Sequence, residues 1–334
     1  MKCADLKQYH KIYFTNFPII LPIMEIFNGL GFTPINANEK PCFQKEDIIF
    51  FPYVGPVFDT SDGWSQRLFY DALETGATTA IILVHVFHLL EERSLEEEVE
   101  LFNKCDYLLV QTQDMKDYFE TIGIKSKIIN MEMFDFLSEY QNDEEYEFNS
   151  TEKIRNHLIY SGGIEDDWRH FFFKDFEHNF KIDFYGALTT KSPSDLISNS
   201  SYKGWHANDQ LPRILKGDFG LIFMDKELHP HSKVDEFWRL GTSSKLPLYI
   251  TSGLPIICKK GTGDQRIVEK YNIGFAVSCL KEIDDILNET SEEQYQLYKK
   301  NVEALMEKTK TGYFLKRAVN EVLSIFATEQ SNAE

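Results

Sequence analysis

The segment GTSSKLPLYITSGLP, Gly241 to Pro255, carries the residues best suited to chemistry. Lys245 stands at the expected start of a short helix, just after the hydroxyls of Thr242, Ser243 and Ser244. An aromatic follows four residues on, then a Ser-Gly stop and the apolar run LPIIC. The first N–H groups of a helix have no intrahelical partner, and the helix dipole favours negative charge at that end. A lysine and three hydroxyls placed there predict a cradle for an anion, with a diphosphate as the expected class. An enzyme using a nucleotide sugar needs such a cradle, because its leaving group is a nucleoside diphosphate.

Other candidates fall where open α/β sheets bind ligands, at the carboxyl ends of strands. Thr15 and Asn16 follow the apolar run 11–17, and His85 closes the run 79–87. Ser161, Gly162 and Gly163 end the run 156–163, while Tyr185 and Gly186 end the next. Trp205 and His206 sit in the turn KGWH, and Asp225 ends FGLIFMD. Each also has a structural reading. A glycine pair can merely permit a turn, and a histidine can be a satisfied core residue. A tryptophan can pack or stack on a base, and an aspartate can cap a turn. His229 and His231 read as surface loop.

These positions depend on the elements around them. Apolar runs at 11–17, 47–53, 79–87, 107–112 and 127–131 alternate with helical patterns near 18–30, 64–75, 93–104 and 113–122. Strands that are apolar throughout, separated by helices, predict a parallel sheet covered on both faces. The polar stretch 138–153 breaks the pattern, and a second series follows. Its strands are expected at 156–163, 181–186, 219–224, 254–259 and 274–277. Its helices are expected near 165–179, 208–216, 244–252, 263–271, 281–289 and 291–309, with a last helix from 313 to 328. The expected fold class is α/β: two Rossmann-like, doubly wound domains facing a cleft, spanning 1–150 and 151–312. The run HLLEERSLEEEVELF (88–102), with four glutamates at helical spacing opposite Leu and Val, reads as a solvated helix face.

Bulk properties narrow the function. The 334 residues are 43% hydrophobic and 14% aromatic, enough for two cores. A net charge of −18 argues against a nucleic-acid partner and against attraction to an anionic membrane. The N-terminus lacks an apolar signal core, and no run of about 18 apolar residues is present. Five scattered cysteines suit reduced thiols, so a cytoplasmic location is expected. No P-loop, G-x-G-x-x-G, G-x-S-x-G or zinc spacing occurs. The chain also lacks a D-x-D triplet. Metal-dependent nucleotide-sugar enzymes commonly place a divalent ion on such a pair, so a metal-free site without cofactor is expected.

The second half resembles glycosyltransferases of the GT-B architecture. The resemblance is carried by LIYSGGI (158–164), YKGWHANDQLPRIL (202–215), GDFGLIFMD (217–225), SSKLPLYITSGLPIICKKG (243–261), VEKYNIGFAV (268–277) and TGYFLKRAVNEVL (311–323). Among these enzymes it is most similar to the small glucosyltransferases that extend N-acetylglucosamine on serine-rich-repeat adhesins of streptococci and lactobacilli. YFTNF (13–17), LVHVFHLL (83–90) and YLLVQTQDMKDYF (107–119) add a looser match in the first half. The resemblance implies that Lys245 binds the diphosphate, that Trp205 lies beside the nucleobase, and that Arg169 is a second phosphate cation. It also implies that the last helix, 313–330, returns to the first domain. The loop TNFPIILP is apolar where such enzymes carry a polar acceptor loop, which leaves the acceptor open.

The expectation is therefore transfer of a hexose, with glucose foremost, from a UDP-sugar to a hydroxyl of a glycan or O-GlcNAc glycopeptide. His85 is the candidate base, and Thr15 or Asn16 would orient the acceptor. A non-catalytic subunit of the same fold, or an epimerase, would carry the same donor half. The apolar surface also allows a homo-oligomer.

Overall fold

The computed structural model describes residues 2–4, 19–35, 42–53, 64–139, 155–163, 177–187, 199–223 and 232–333. Two compact units emerge. The first comprises Met1–Asp135, Arg239–Gly241 and Gly312–Glu334; the second comprises Phe136–Trp238 and Thr242–Thr311.

The first unit runs β1 (Lys2–Ala4), α1 (Ile20–Gly29), β2 (Thr33–Ile35), β3 (Ile48–Tyr53), α2 (Trp64–Thr75) and β4 (Thr78–Leu83). It continues through a 3-10 turn at Phe87–Leu90 to α3 (Leu95–Phe102), β5 (Tyr107–Val110), α4 (Gln113–Thr121) and β6 (Lys127–Asn130). Its strands form one sheet in the order β2-β1-β3-β4-β5-β6, with parallel pairings throughout. All six residues of β3 are buried, as a strand covered on both faces requires. The strand expected at 11–17 lies outside the described residues.

The second unit opens with β7 (His157–Ser161), β8 (Lys181–Tyr185), β9 (Ser200–Gly204), α5 (Leu211–Ile214), β10 (Phe219–Ile222) and α6 (Val234–Leu240), whose last residues belong to the first unit. It continues with α7 (Lys245–Thr251), β11 (Ile256–Lys259), α8 (Gly263–Tyr271), β12 (Gly274–Val277), α9 (Glu282–Glu289) and α10 (Glu292–Lys310). Its parallel sheet has the order β12-β11-β10-β7-β8-β9. The chain winds outward from β7 to β9 on one side and from β10 to β12 on the other. The topological switch point therefore lies between β7 and β10. The core beside it contains Leu158, Tyr160, Phe184, Phe219 and Leu221, each contributing about 1.5–3 kcal/mol by burial.

The final helix, α11 (Tyr313–Ala333), belongs to the first unit. The Asp135 carboxylate accepts from the Phe314 and Leu315 N–H groups at 3.1 and 2.8 Å. It thus satisfies donors of the first helical turn that have no partner within the helix. No helix among the described residues is long and apolar enough to cross a membrane.

One expectation in the first unit is overturned. Glu96, Glu97 and Glu100 of α3 are exposed, and Ser94 with Glu97 forms a capping box. Glu98, however, is fully buried. Its carboxylate accepts from the Tyr53 hydroxyl and from the Phe87 and His88 N–H groups, each at 3.0 Å, and from His88 Nδ1. His88 Nε2 meets the Tyr118 hydroxyl at 2.6 Å. Burial and the Glu98 charge push the Tyr53 hydroxyl above its ordinary range. A buried carboxylate without partners is costly, and here four donors meet it. The Glu98→Ala variant is expected to lose roughly 3–5 kcal/mol of stability by urea unfolding, since His88 and two backbone donors lose their acceptor. Glu96→Ala should change stability by less than about 0.5 kcal/mol.

Candidate active site

The carboxyl ends of β7, β8 and β9 are held together by backbone bonds. The Gly162 N–H donates to the Tyr185 carbonyl at 2.8 Å, and the Gly186 N–H donates to the Gly204 carbonyl at 2.9 Å. Gly186 has φ +150°, and a Cβ there would stand 1.8 Å from the Gly162 oxygen. Only glycine fits such an approach. The ends of these strands therefore approach closely beside the switch point.

Lys245 occupies part of that space. A Cβ on Gly162 would lie 3.0 Å from Lys245 Cε and 3.4 Å from its Nζ. The ammonium also lies 5.4 Å from the centre of the Tyr160 ring, within cation–π range. Its position is set one turn later by Tyr249. The Tyr249 hydroxyl accepts from the Ser161 N–H at 2.8 Å and donates to the Leu221 carbonyl at 3.3 Å. Residues i and i+4 share a helix face, so fixing Tyr249 fixes the lysine above the end of β7. Lys259, the last residue of β11, adds a second cation at the strand ends. Its Nζ lies 5.3 Å from the Phe223 ring centre and 5.6 Å from that of Trp238.

The expected ring of free backbone donors is not what the structure shows. The Ser243 N–H donates to Asp264 Oδ1 at 2.8 Å, and the Lys245 N–H donates to Ser243 Oγ at 3.2 Å. The Leu246 N–H is taken by the Ser243 carbonyl. α7 has only seven residues, and its opening donors are satisfied locally. The cation rather than the helix end supplies the positive charge. Thr242, Ser243 and Ser244 are half-buried around it.

The remaining expected residues are distributed as follows. Gly163 is half-buried beside Gly162. Tyr185 is buried, with its hydroxyl donating to the Ile214 carbonyl at 3.2 Å. Trp205 is 53% exposed just past β9, so it is not a core packing residue. Thr15, Asn16 and Arg169 lie outside the described residues, as do Asp225, His229 and His231. His85 falls two residues beyond β4, rather than ending it, and is half-buried with its ring edge-on to Phe87 at 5.7 Å. Desolvation lowers its pKa to about 4.

Two residues were missed. Lys259 is a lysine at the carboxyl end of a buried strand, a signal present in LPIICK. Asp264 is 4% exposed in the first turn of α8, behind the N-cap Thr262. Burial raises its carboxyl to about 7, against the lowering effects of the Ser243 N–H and the Lys245 charge. Among the described residues no group of three His, Cys, Asp or Glu could hold a metal ion.

Comparison with known proteins bears on the family and the fold. A model of the C-terminal domain of glucosyltransferase 3-like proteins matches residues 158–322, and a model of the N-terminal domain matches residues 61–133. The chain belongs to the glucosyltransferase 3-like family. Glucosyltransferase 3 of Streptococcus gordonii is 26% identical over 239 residues, covering 69% of this chain and 66% of that protein. Its namesake in Streptococcus parasanguinis is 23% identical over 229 residues, covering 68% and 63%. The match thus spans just under two thirds of the length of these relatives. The structure of Anabaena HepE (Alr3699) in complex with UDP is similar with a TM-score of 0.55 at 12% identity, covering 83% of this chain and 78% of that one. That similarity concerns the fold, which is of the GT-B glycosyltransferase type. Within this member of the glucosyltransferase 3-like family, Lys245, Lys259 and Asp264 fall inside the C-terminal match and His85 inside the N-terminal one.

The lowered pKa of His85 has a direct consequence. A histidine whose pKa falls to about 4 is neutral throughout the physiological range. In histidine-labelled protein its ring resonances are expected to hold constant between about pH 5.5 and pH 8. A midpoint near pH 6.5 would contradict the desolvated placement.

Proposed function

We propose that this protein transfers a hexose, glucose foremost, from a UDP-sugar to a hydroxyl of a glycan or O-GlcNAc glycopeptide. The observation that carries this reading is the Lys245 ammonium beside Gly162 at the sheet's switch point, where open α/β sheets bind ligands. The glucosyltransferase names of the streptococcal relatives and the UDP held by the HepE structure support it.

Departure of UDP leaves negative charge on the diphosphate. A fixed cation aimed at that charge stabilises the transition state more than it does the substrate. Lys245 has this role, and Lys259 and Arg169 would add to it, so charge neutralisation rests on the chain's own cations without a metal. Trp205 presents an exposed ring on which the uracil can stack. His85, neutral at working pH, takes the role of acceptor-side base, with Thr15 and Asn16 orienting the attacking hydroxyl. A base of such low pKa is weak, so proton removal would accompany bond formation to the sugar rather than precede it.

Isothermal titration with UDP tests the reading. A charge-assisted contact contributes about 1.5–3 kcal/mol, so Lys245→Ala is expected to bind roughly ten- to hundredfold more weakly than the unmodified protein. Equal affinity would remove Lys245 from the donor site. Incubation with UDP-glucose and an O-GlcNAc peptide should add one hexose to the peptide by mass. Binding without transfer or hydrolysis would instead favour a non-catalytic subunit.

A further inference from the structure

Asp264 is a buried carboxyl group within electrostatic reach of the cation that the proposed function assigns to the diphosphate. Its Oδ1 accepts from the Ser243 N–H at 2.8 Å, which ties it to the turn that leads into Lys245. It is only 4% exposed, so little solvent screens it from that neighbour. A site built only to attract a diphosphate gains nothing from a carboxylate in this position. A carboxylate there competes with the ligand for the same ammonium.

We propose that Asp264 sets the charge of the Lys245 site: its carboxyl group takes up a proton when a diphosphate binds, and donor binding weakens as the carboxylate ionises. This rests on the nucleotide-sugar reading above and deepens it.

The electrostatics follow from three groups. Ser243, in the turn before α7, donates its N–H to Asp264, and Lys245 at the start of α7 acts on it through its charge. From β11 the Cys258 thiol feels Asp264. Burial, then the charges of Asp264 and Glu269, hold that thiol well above its ordinary range. Cys258 therefore stays protonated near neutrality, and Asp264, raised by burial to about 7, is the member of this set that titrates there. An anion arriving within a few ångströms adds like charge and raises the carboxyl further. The bound form then has a higher pKa than the free form. Affinity is therefore full below about pH 7 and is lost as pH rises through the free value. The expected result is binding roughly five- to tenfold weaker at pH 8 than at pH 6.

UDP-glucose is the suitable probe, because its diphosphate is esterified at both ends and does not titrate in this range. Calorimetric titration of the full chain at about pH 6 and about pH 8 should show that loss of affinity. At about pH 7.5 the heat should depend on the ionisation enthalpy of the buffer, reporting proton uptake. Asp264→Asn keeps an oxygen acceptor for Ser243 and removes the charge. It is expected to bind with little pH dependence and more tightly than the unmodified protein at about pH 8. Should that variant not fold, the proton uptake of the unmodified protein decides alone. A pH-independent affinity with no buffer effect, or a variant that keeps the original pH slope, overturns the proposal. Absence of UDP-glucose binding at either pH, a distinct result, overturns the nucleotide-sugar reading and this proposal with it.

Discussion

The second unit depends on where the ring of Tyr249 can lie. The tyrosine packs on β10 at a point where a Cβ on residue 220 would stand 2.4 Å from two of its ring carbons. Gly220 removes that clash. The ring then comes close enough for its hydroxyl to join two strands on either side of the switch point, Ser161 of β7 and Leu221 of β10. Burial holds this hydroxyl protonated well beyond its ordinary range, so it acts as a fixed hydrogen-bonding pin. Because Lys245 shares the helix face of Tyr249, the pin also places a cation. Replacing one α-hydrogen of Gly220 with any side chain would move the helix, and with it the charge.

A chain with a net charge of −18 must build local positive potential if it is to hold a diphosphate. In the proposed reading it would do so with few groups. Glycines at 162 and 186 let the strand ends approach closely, Lys245 and Lys259 would supply charge, and Asp264 would temper it. The opposite solution appears in the first unit. There a buried carboxylate, Glu98, is surrounded by donors and fixes the turn that follows β4, directly after His85. One carboxylate is fully satisfied and structural; the other keeps a single backbone donor in the described hydrogen bonds and lies in the field of Lys245.

Periodicity in the sequence was enough to locate most elements. The helix expected at 263–271 and the strand expected at 274–277 coincide with α8 and β12. Both have a strong signal: an N-cap threonine opens the first, and the second is a partly buried apolar run opened by a glycine. Two of the strands not expected share a cause. β2 and β9 lie at the edges of their sheets and are partly exposed, so TPI and SSYKG carry little apolar signal. Their pairing partners define them rather than their own composition. The strand expected at 79–87 overran because VHVF continues the apolar run, whereas the chain leaves the sheet after Leu83 to meet Glu98. Charged residues were legible only where their neighbours in sequence define their role. Lys245 is readable beside three hydroxyls. Glu98 looks like any other glutamate of α3, because its partner Tyr53 is 45 residues away. Asp264 is hidden for the same reason, being 21 residues from Ser243.

The lysine placed by Tyr249 is the proposed diphosphate ligand. A crystal structure of the full chain with UDP tests it most directly. Electron density for the diphosphate is expected at the carboxyl end of β7, within hydrogen-bonding distance of Lys245 Nζ. UDP bound elsewhere, with the Lys245 ammonium still resting over Tyr160 and touching no phosphate, would contradict it.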